Sequence, residues 1–248
     1  MKKLLILLAP VCLLSFMAVK EKKVKIFLAG DSTCAIKSTK NYPETGWGMP
    51  FVYFWDSTVT VVNKAKNGRS TSSFRNEGLW QQIIDEGTAG DFVFIQFGHN
   101  DEVPTKKNYT TEVEFTNNLI RFVKEARDKK ITPVLLTPVA RRKFDDKGKI
   151  VGTHDVYAQI VRDVAAQEKT PLIDLDVMAQ QLYQQLGVEH SKLLFLHLTP
   201  GEHPNYPNGK EDDTHFNELG ARLVAEMVLK EIKEQIPELT EKVINKRK

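Results

Sequence analysis

Five short stretches of the chain are apolar almost throughout: Val24–Ala29, Val59–Asn63, Phe92–Phe97, Val134–Thr137 and Leu172–Leu175. Continuous apolar runs of this length, rather than alternating ones, predict parallel strands buried on both faces. The segments between them carry helical spacing. Leu119, Phe122, Val123 and Ala126 make one stripe, and Val156, Ile160, Val161 and Val164 a second. Near the end, Leu219, Leu223 and Met227 run beside Val224, Val228 and Ile232, and Asn217 stands where that last helix needs an N-cap. Strand–helix alternation predicts an α/β fold, a three-layer α/β/α sandwich with right-handed crossovers. Open sheets of this kind bind ligands at the carboxyl ends of their strands. Three turns are therefore expected at one rim: Gly30-Asp31-Ser32, Asn67-Gly68 and Gly98-His99-Asn100-Asp101.

The first eighteen residues follow a different pattern. Lys2 and Lys3 precede the apolar run Leu4–Met17, which reads as an export signal. It is short for a spanning helix. Residues 1–18 are thus expected to be a signal peptide ahead of one domain, 19–248. The expected location is periplasmic or extracellular. The alternatives are an uncleaved anchor, a lipid-modified Cys12 or a buried first strand. Loss of this segment lowers the formal charge of +3 by its two lysines, and Lys242, Lys246, Arg247 and Lys248 sit in the tail, which reads as a solvated end. The body is therefore not basic, which excludes a nucleic-acid footprint. Cys34 is left as the sole cysteine, so no internal disulfide forms, and it reads as a small packed residue.

The polar rim residues admit a specific chemistry. Ser32, at the end of the first strand, presents a hydroxyl that becomes a nucleophile if a base lies within hydrogen-bond reach. Asp212-Asp213-Thr214-His215, just before the last helix, supplies a histidine and a carboxylate to orient it. Asp212 is preferred as the orienter, with Asp213 the alternative. The amides of Ser32 and Gly68 and the side chain of Asn100 are candidate donors to an oxyanion. Each piece alone also reads as an ordinary turn or cap. His190, His197 and His203 form no metal spacing with His215.

Taken together, Gly30-Asp31-Ser32, Asn67-Gly68-Arg69-Ser70, Gly98-His99-Asn100-Asp101 and Asp212-to-His215 resemble the four blocks of the SGNH (GDSL-type) hydrolases. Thr45-Gly46-Trp47-Gly48, Thr137-Pro138-Val139 and the run to Phe216 are similar to the rhamnogalacturonan acetylesterase branch. The resemblance implies a flavodoxin-like sandwich around a five-stranded parallel sheet. It implies Ser32 as nucleophile, His215 as base, Asp212 as orienter, and no metal or organic cofactor. The expected activity is serine esterase removal of acetyl groups from a plant cell-wall polysaccharide such as pectin. The rivals are a lipase or thioesterase of the same fold and a non-catalytic carbohydrate-binding protein. The expected partner is the acetylated polysaccharide, with no nucleic acid and no stable protein partner.

Arg69, Arg141 and His197 are candidate substrate contacts, since guanidinium pairs bidentately with uronate carboxylates. Arg75 and Arg142 fit the same role; each arginine also reads as solvated or in a structural ion pair, except Arg69, which directly follows an oxyanion-hole candidate. Trp47 and Trp80 suit either sugar stacking or the core. His203 and Tyr206 lie in a Pro/Gly/Asn-rich loop beside the Asp–His pair.

Overall fold

The computed structural model describes residues 23–244. The expectations for residues 1–18 and for Lys246, Arg247 and Lys248 lie outside the described residues. The strands are β1 (Val24–Gly30), β2 (Val59–Asn63), β3 (Phe92–Gln96), β4 (Thr132–Leu136), β5 (Leu172–Ile173), β6 (Phe195–Leu198) and β7 (Lys210–Phe216). The α-helices are α1 (Gly48–Phe51), α2 (Thr71–Asn76), α3 (Leu79–Glu86), α4 (Glu112–Asp128), α5 (Asp155–Gln167), α6 (Leu175–His190), α7 (Glu218–Gln235) and α8 (Pro237–Thr240). The five-stranded sheet has the order β2-β1-β3-β4-β5, with all pairs parallel.

Alternation along the buried strands divides the core in two. Ile26, Leu28, Phe94, Val134 and Leu136 face α1, α6 and α7, whereas Phe27, Val93, Ile95 and Leu135 face α2 to α5. That is the expected three-layer sandwich. The strand order reverses between β1 and β3, because β2 lies on one side of β1 and β3 on the other. The turns after β1 and β3 therefore open a crevice at their carboxyl ends.

Several boundaries differ from the sequence reading. Leu175 is not in β5 but opens α6, because Asp174 caps that helix: its side chain accepts from Val177 N and pairs with Arg162. Phe97 and Thr137 fall just past their strands, and β4 begins earlier, at Thr132. Gly30 ends β1 rather than shaping a turn; a Cβ there would lie 3.0 Å from the Gln96 carbonyl of the neighbouring strand. Asn217 caps α7 as expected, accepting from Gly220 N at 3.1 Å. The visible part of the tail is packed, not frayed: Lys242 O accepts from Asp56 N and Val243 bridges to Trp55. The antiparallel pair β6–β7 was not anticipated at all.

Candidate active site

Ser32 lies two residues past the end of β1, after Asp31. Asp31 shapes its turn: Oδ1 accepts from the Thr33 amide at 2.9 Å and the Thr33 hydroxyl at 2.8 Å. Burial pushes the Asp31 carboxyl up from its ordinary value, against those two hydrogen bonds. Behind the turn, Trp47 Nε1 donates to Gln96 Oε1, and Gln96 Nε2 donates to Thr33 Oγ1. Trp47 and Trp80 are thus core residues, 1% and 2% exposed, and neither is free to stack on a sugar.

From the far end of the chain, β7 brings His215 to Ser32. His215 Nε2 lies 2.9 Å from Ser32 Oγ, and Nδ1 lies 2.9 Å from Asp212 Oδ2. Asp212 Oδ1 accepts from the amides of Thr214 and His215 at 2.8 and 3.0 Å. The β6–β7 register accounts for this closeness. Leu196 pairs with Asp212 but its neighbour Phe195 pairs with Phe216, so residues 213–215 bulge and fold His215 back over Asp212. Partial burial disfavours the Asp212 anion, but the hydrogen bonds from the His215 ring, its amide and Thr214 outweigh that, holding the carboxyl well below its ordinary value. A hydroxyl, an imidazole and an ionised carboxylate in this sequence can transfer the Ser32 proton to His215 while Asp212 stabilises the imidazolium.

Ser32, Gly68, Asn100 and His215 line one cleft of about 540 Å³. Gly68 sits at φ 75°, a left-handed conformation, and a Cβ there would meet nothing within 4 Å. Its carbonyl accepts from Asn108 Nδ2 at 2.7 Å. Asn100 Nδ2 donates to the Arg69 carbonyl at 3.0 Å, and Asn100 Oδ1 accepts from Lys106 Nζ at 3.0 Å. The second amide hydrogen of Asn100 remains for an oxyanion in the cleft. Beneath, Asp101 Oδ1 accepts from the amide and hydroxyl of Thr71, and burial raises its carboxyl to about 7.

The candidate substrate contacts separate. Arg141 lines the cleft, with Nη1 on Glu102 Oε1 at 2.7 Å and Nη2 on the His99 carbonyl at 3.3 Å. Arg69 does not line it: Nε and Nη2 bind Glu77 Oε2 at 3.0 and 2.7 Å, and Nη1 binds the Asn67 carbonyl at 2.7 Å. His197 lies on β6 and contacts Asp213 Oδ1 at 2.8 Å, outside the cleft lining. Asp213 also holds Arg142, and Arg75 pairs bidentately with Glu125, so these two arginines are structural. Tyr206 anchors its loop through the Asn41 carbonyl.

Sequence reasoning missed Lys106, and also Glu44, which reaches the cleft paired to buried Lys37. Lys37 also donates to Asn67 Oδ1. No local spacing marks either group; both arrive on loops. Among the described residues, no group of three or more His, Cys, Asp or Glu could hold a metal ion, and no helix is long and apolar enough to cross a membrane. Cys34 is buried, and burial pushes its thiol up.

A parallel sheet with a serine at its switch point and a histidine returning from the last strand defines a class of ester hydrolase. Residues 28–223 match the GDSL-like lipase/acylhydrolase family, and the chain belongs to it; it is an esterase. It is 43% identical over 215 residues to the rhamnogalacturonan acetylesterase RhgT of Bacillus subtilis, covering 86% of this chain and 91% of that protein. It is 33% identical over 224 residues to the probable rhamnogalacturonan acetylesterase YesY of the same organism, covering 90% and 98%. The crystal structure of the Bacillus subtilis YxiM protein superposes with a TM-score of 0.74 at 28% identity, covering 86% of this chain and 57% of that one.

Proposed function

We propose that this esterase removes O-acetyl groups from a uronate-containing cell-wall polysaccharide of the rhamnogalacturonan type. Ser32 Oγ attacks the acetyl carbonyl while His215 Nε2 takes its proton. The amides of Ser32 and Gly68 and the Asn100 side chain receive the negative oxygen of the tetrahedral intermediate. His215 then protonates the departing sugar oxygen, which leaves as a hydroxyl, and an acetyl-enzyme remains. Water, deprotonated by the same imidazole, releases acetate and restores Ser32. The observation that carries this reading is the continuous Asp212–His215–Ser32 hydrogen-bond chain at the mouth of a cleft.

The substrate class is supported by two cations at that cleft, Arg141 and Lys106, and by the names of the two Bacillus relatives. Of the charged groups there, Arg141 is offset by Glu102, Glu44 is offset by Lys37, and Lys106 contacts the neutral Asn100 amide. A carboxylate on the sugar chain complements that charge. Export follows on this reading, since a cell-wall polymer must be met outside the cell, and the basic start and apolar run Leu4–Met17 agree with it.

The test is acetate release from acetylated rhamnogalacturonan, neutral acetylated xylan and a long-chain ester, with Ser32→Ala as the control. Fastest release from rhamnogalacturonan, none with Ser32→Ala, and phosphonate labelling of Ser32 are expected. Faster release from xylan would remove the uronate assignment. Preference for the long-chain ester would make the protein a lipase.

A further inference from the structure

We propose that Arg69, locked onto Glu77, is a positioning residue for the oxyanion site and not a ligand for the substrate carboxylate. The inference rests on the reading that Ser32, Gly68 and Asn100 receive the oxyanion.

Residues 66–69 form a β-turn, closed by Arg69 N to Lys66 O at 3.3 Å. Gly68 occupies its third position at φ 75°, while Asn67 is not among the residues of positive φ, so the turn is of type II. A type II turn differs from type I by rotation of its central peptide through about 180°. Here that peptide joins Asn67 C=O to Gly68 N–H. Glycine tolerates both arrangements, and no neighbouring atom confines it. Because the peptide is planar and trans, its carbonyl and N–H point in opposite directions. Whatever holds the Asn67 carbonyl therefore aims the Gly68 N–H, and a flipped peptide would aim a carbonyl oxygen where an anion must form.

Arg69 Nη1 holds that carbonyl at 2.7 Å, and Glu77 fixes the guanidinium from the other side through Nε and Nη2. A charged donor on the carbonyl also polarises the peptide, which strengthens its N–H as a donor. The same residue orients the third oxyanion group, since its main-chain carbonyl accepts from Asn100 Nδ2 at 3.0 Å. With Lys106 on Oδ1, the Asn100 amide has one satisfied orientation only. Arg69 thus ties both non-serine donors to one point. Three of its five N–H donors are committed, and the guanidinium lies off the cleft lining, so it does not face a uronate bound there.

The experiment compares Arg69→Met, Arg69→Lys and Glu77→Gln with wild type on p-nitrophenyl acetate and on acetylated rhamnogalacturonan, with phosphonate inactivation of Ser32 as a third readout. Loss of one oxyanion donor costs about 10²–10³ in kcat, so loss of its aim should cost about 10–10². Arg69→Met is expected to lower kcat by that factor on both substrates, with KM within about twofold and inactivation slowed in parallel. Arg69→Lys should not restore it, because an ammonium cannot span Glu77 and Asn67 as a fork. Glu77→Gln should give a smaller loss of the same kind, and it carries the test if Arg69→Met does not fold. A rise in KM confined to the polysaccharide would make Arg69 a substrate ligand and overturn the proposal. Unchanged kcat on p-nitrophenyl acetate in both Arg69→Met and Glu77→Gln would overturn it too. If wild type is not labelled at Ser32, it is the underlying catalytic reading that fails.

Discussion

Asp212 and Asp213 are neighbours that serve different histidines. Asp212 holds His215 Nδ1 and is held in turn by two amides, whereas Asp213 bridges His197 and Arg142. An asparagine at 212 would offer an amide to the ring nitrogen that must donate, favouring the wrong tautomer. Asp212→Asn is therefore expected to lower kcat by about 10⁴. Asp213→Asn should leave kcat within a fewfold. Its side chain is 46% exposed, and Arg142 keeps Ser191 and the Val188 carbonyl, so the stability cost is at most about 1 kcal/mol, as for an exposed ion pair. Steady-state kinetics and melting curves of both variants decide this, and the reverse order would move the orienting carboxylate by one residue. The sequence preferred Asp212 but left Asp213 open, because β7 was not legible there, and regular strand alternation would put residues 212 and 215 on opposite faces. Only the bulge in β7 brings them together, and a bulge has no signature in Asp-Asp-Thr-His. The ion pair of Arg69 was hidden for a related reason: its place beside the oxyanion turn was visible, but its partner Glu77, just past α2, was not.

Between elements, Asp101 joins the turn after β3 to the first turn of α2 through Thr71, and so supports the Gly68–Arg69 turn from below. The apolar runs made the five parallel strands legible, and the four polar blocks marked the turns after β1, β2 and β3 and the segment before α7. The hairpin β6–β7 was hidden because Lys210–Asp213 is charged, without apolar alternation, and its partner lies across a Pro/Gly-rich loop. Asp101 makes a prediction of its own. Burial raises its carboxyl from 3.8 to about 7, despite the Thr71 bonds. Between those values the folded protein holds a proton that the unfolded chain has released, so stability falls as pH rises from about 4 to about 7. Three pKa units correspond to at most about 4 kcal/mol. Asp101→Asn keeps the acceptor for Thr71 and removes the buried charge. Its melting temperature should exceed that of wild type at pH 8, and the gap should close towards pH 4. A gap that stays constant across this range would show that Asp101 does not titrate there.

At the scale of the molecule, a chain of formal charge +3 has no field strong enough to gather a polyanion. Attraction to the proposed substrate has to arise at the cleft, from Lys106, which is exposed, and Arg141, which Glu102 offsets. The two differ in how salt reaches them. Lys106 faces solvent and is screened as an exposed charge; the Arg141–Glu102 pair is more enclosed and screened less. Activity on acetylated rhamnogalacturonan should therefore show a shallow salt dependence set by one residue. Between about 0.01 M and about 1 M salt the screening length falls from ~30 Å to ~3 Å. Over that range kcat/KM on the polysaccharide should drop severalfold while kcat/KM on neutral p-nitrophenyl acetate stays level. Lys106→Gln retains a donor for Asn100 Oδ1 and removes only the charge. It should lower the low-salt value on the polysaccharide to the high-salt one and leave the remaining dependence flat. A variant that keeps the wild-type salt response would place the recognition of charge elsewhere on the surface, and equal losses on both substrates would mean that Lys106 serves Asn100 alone.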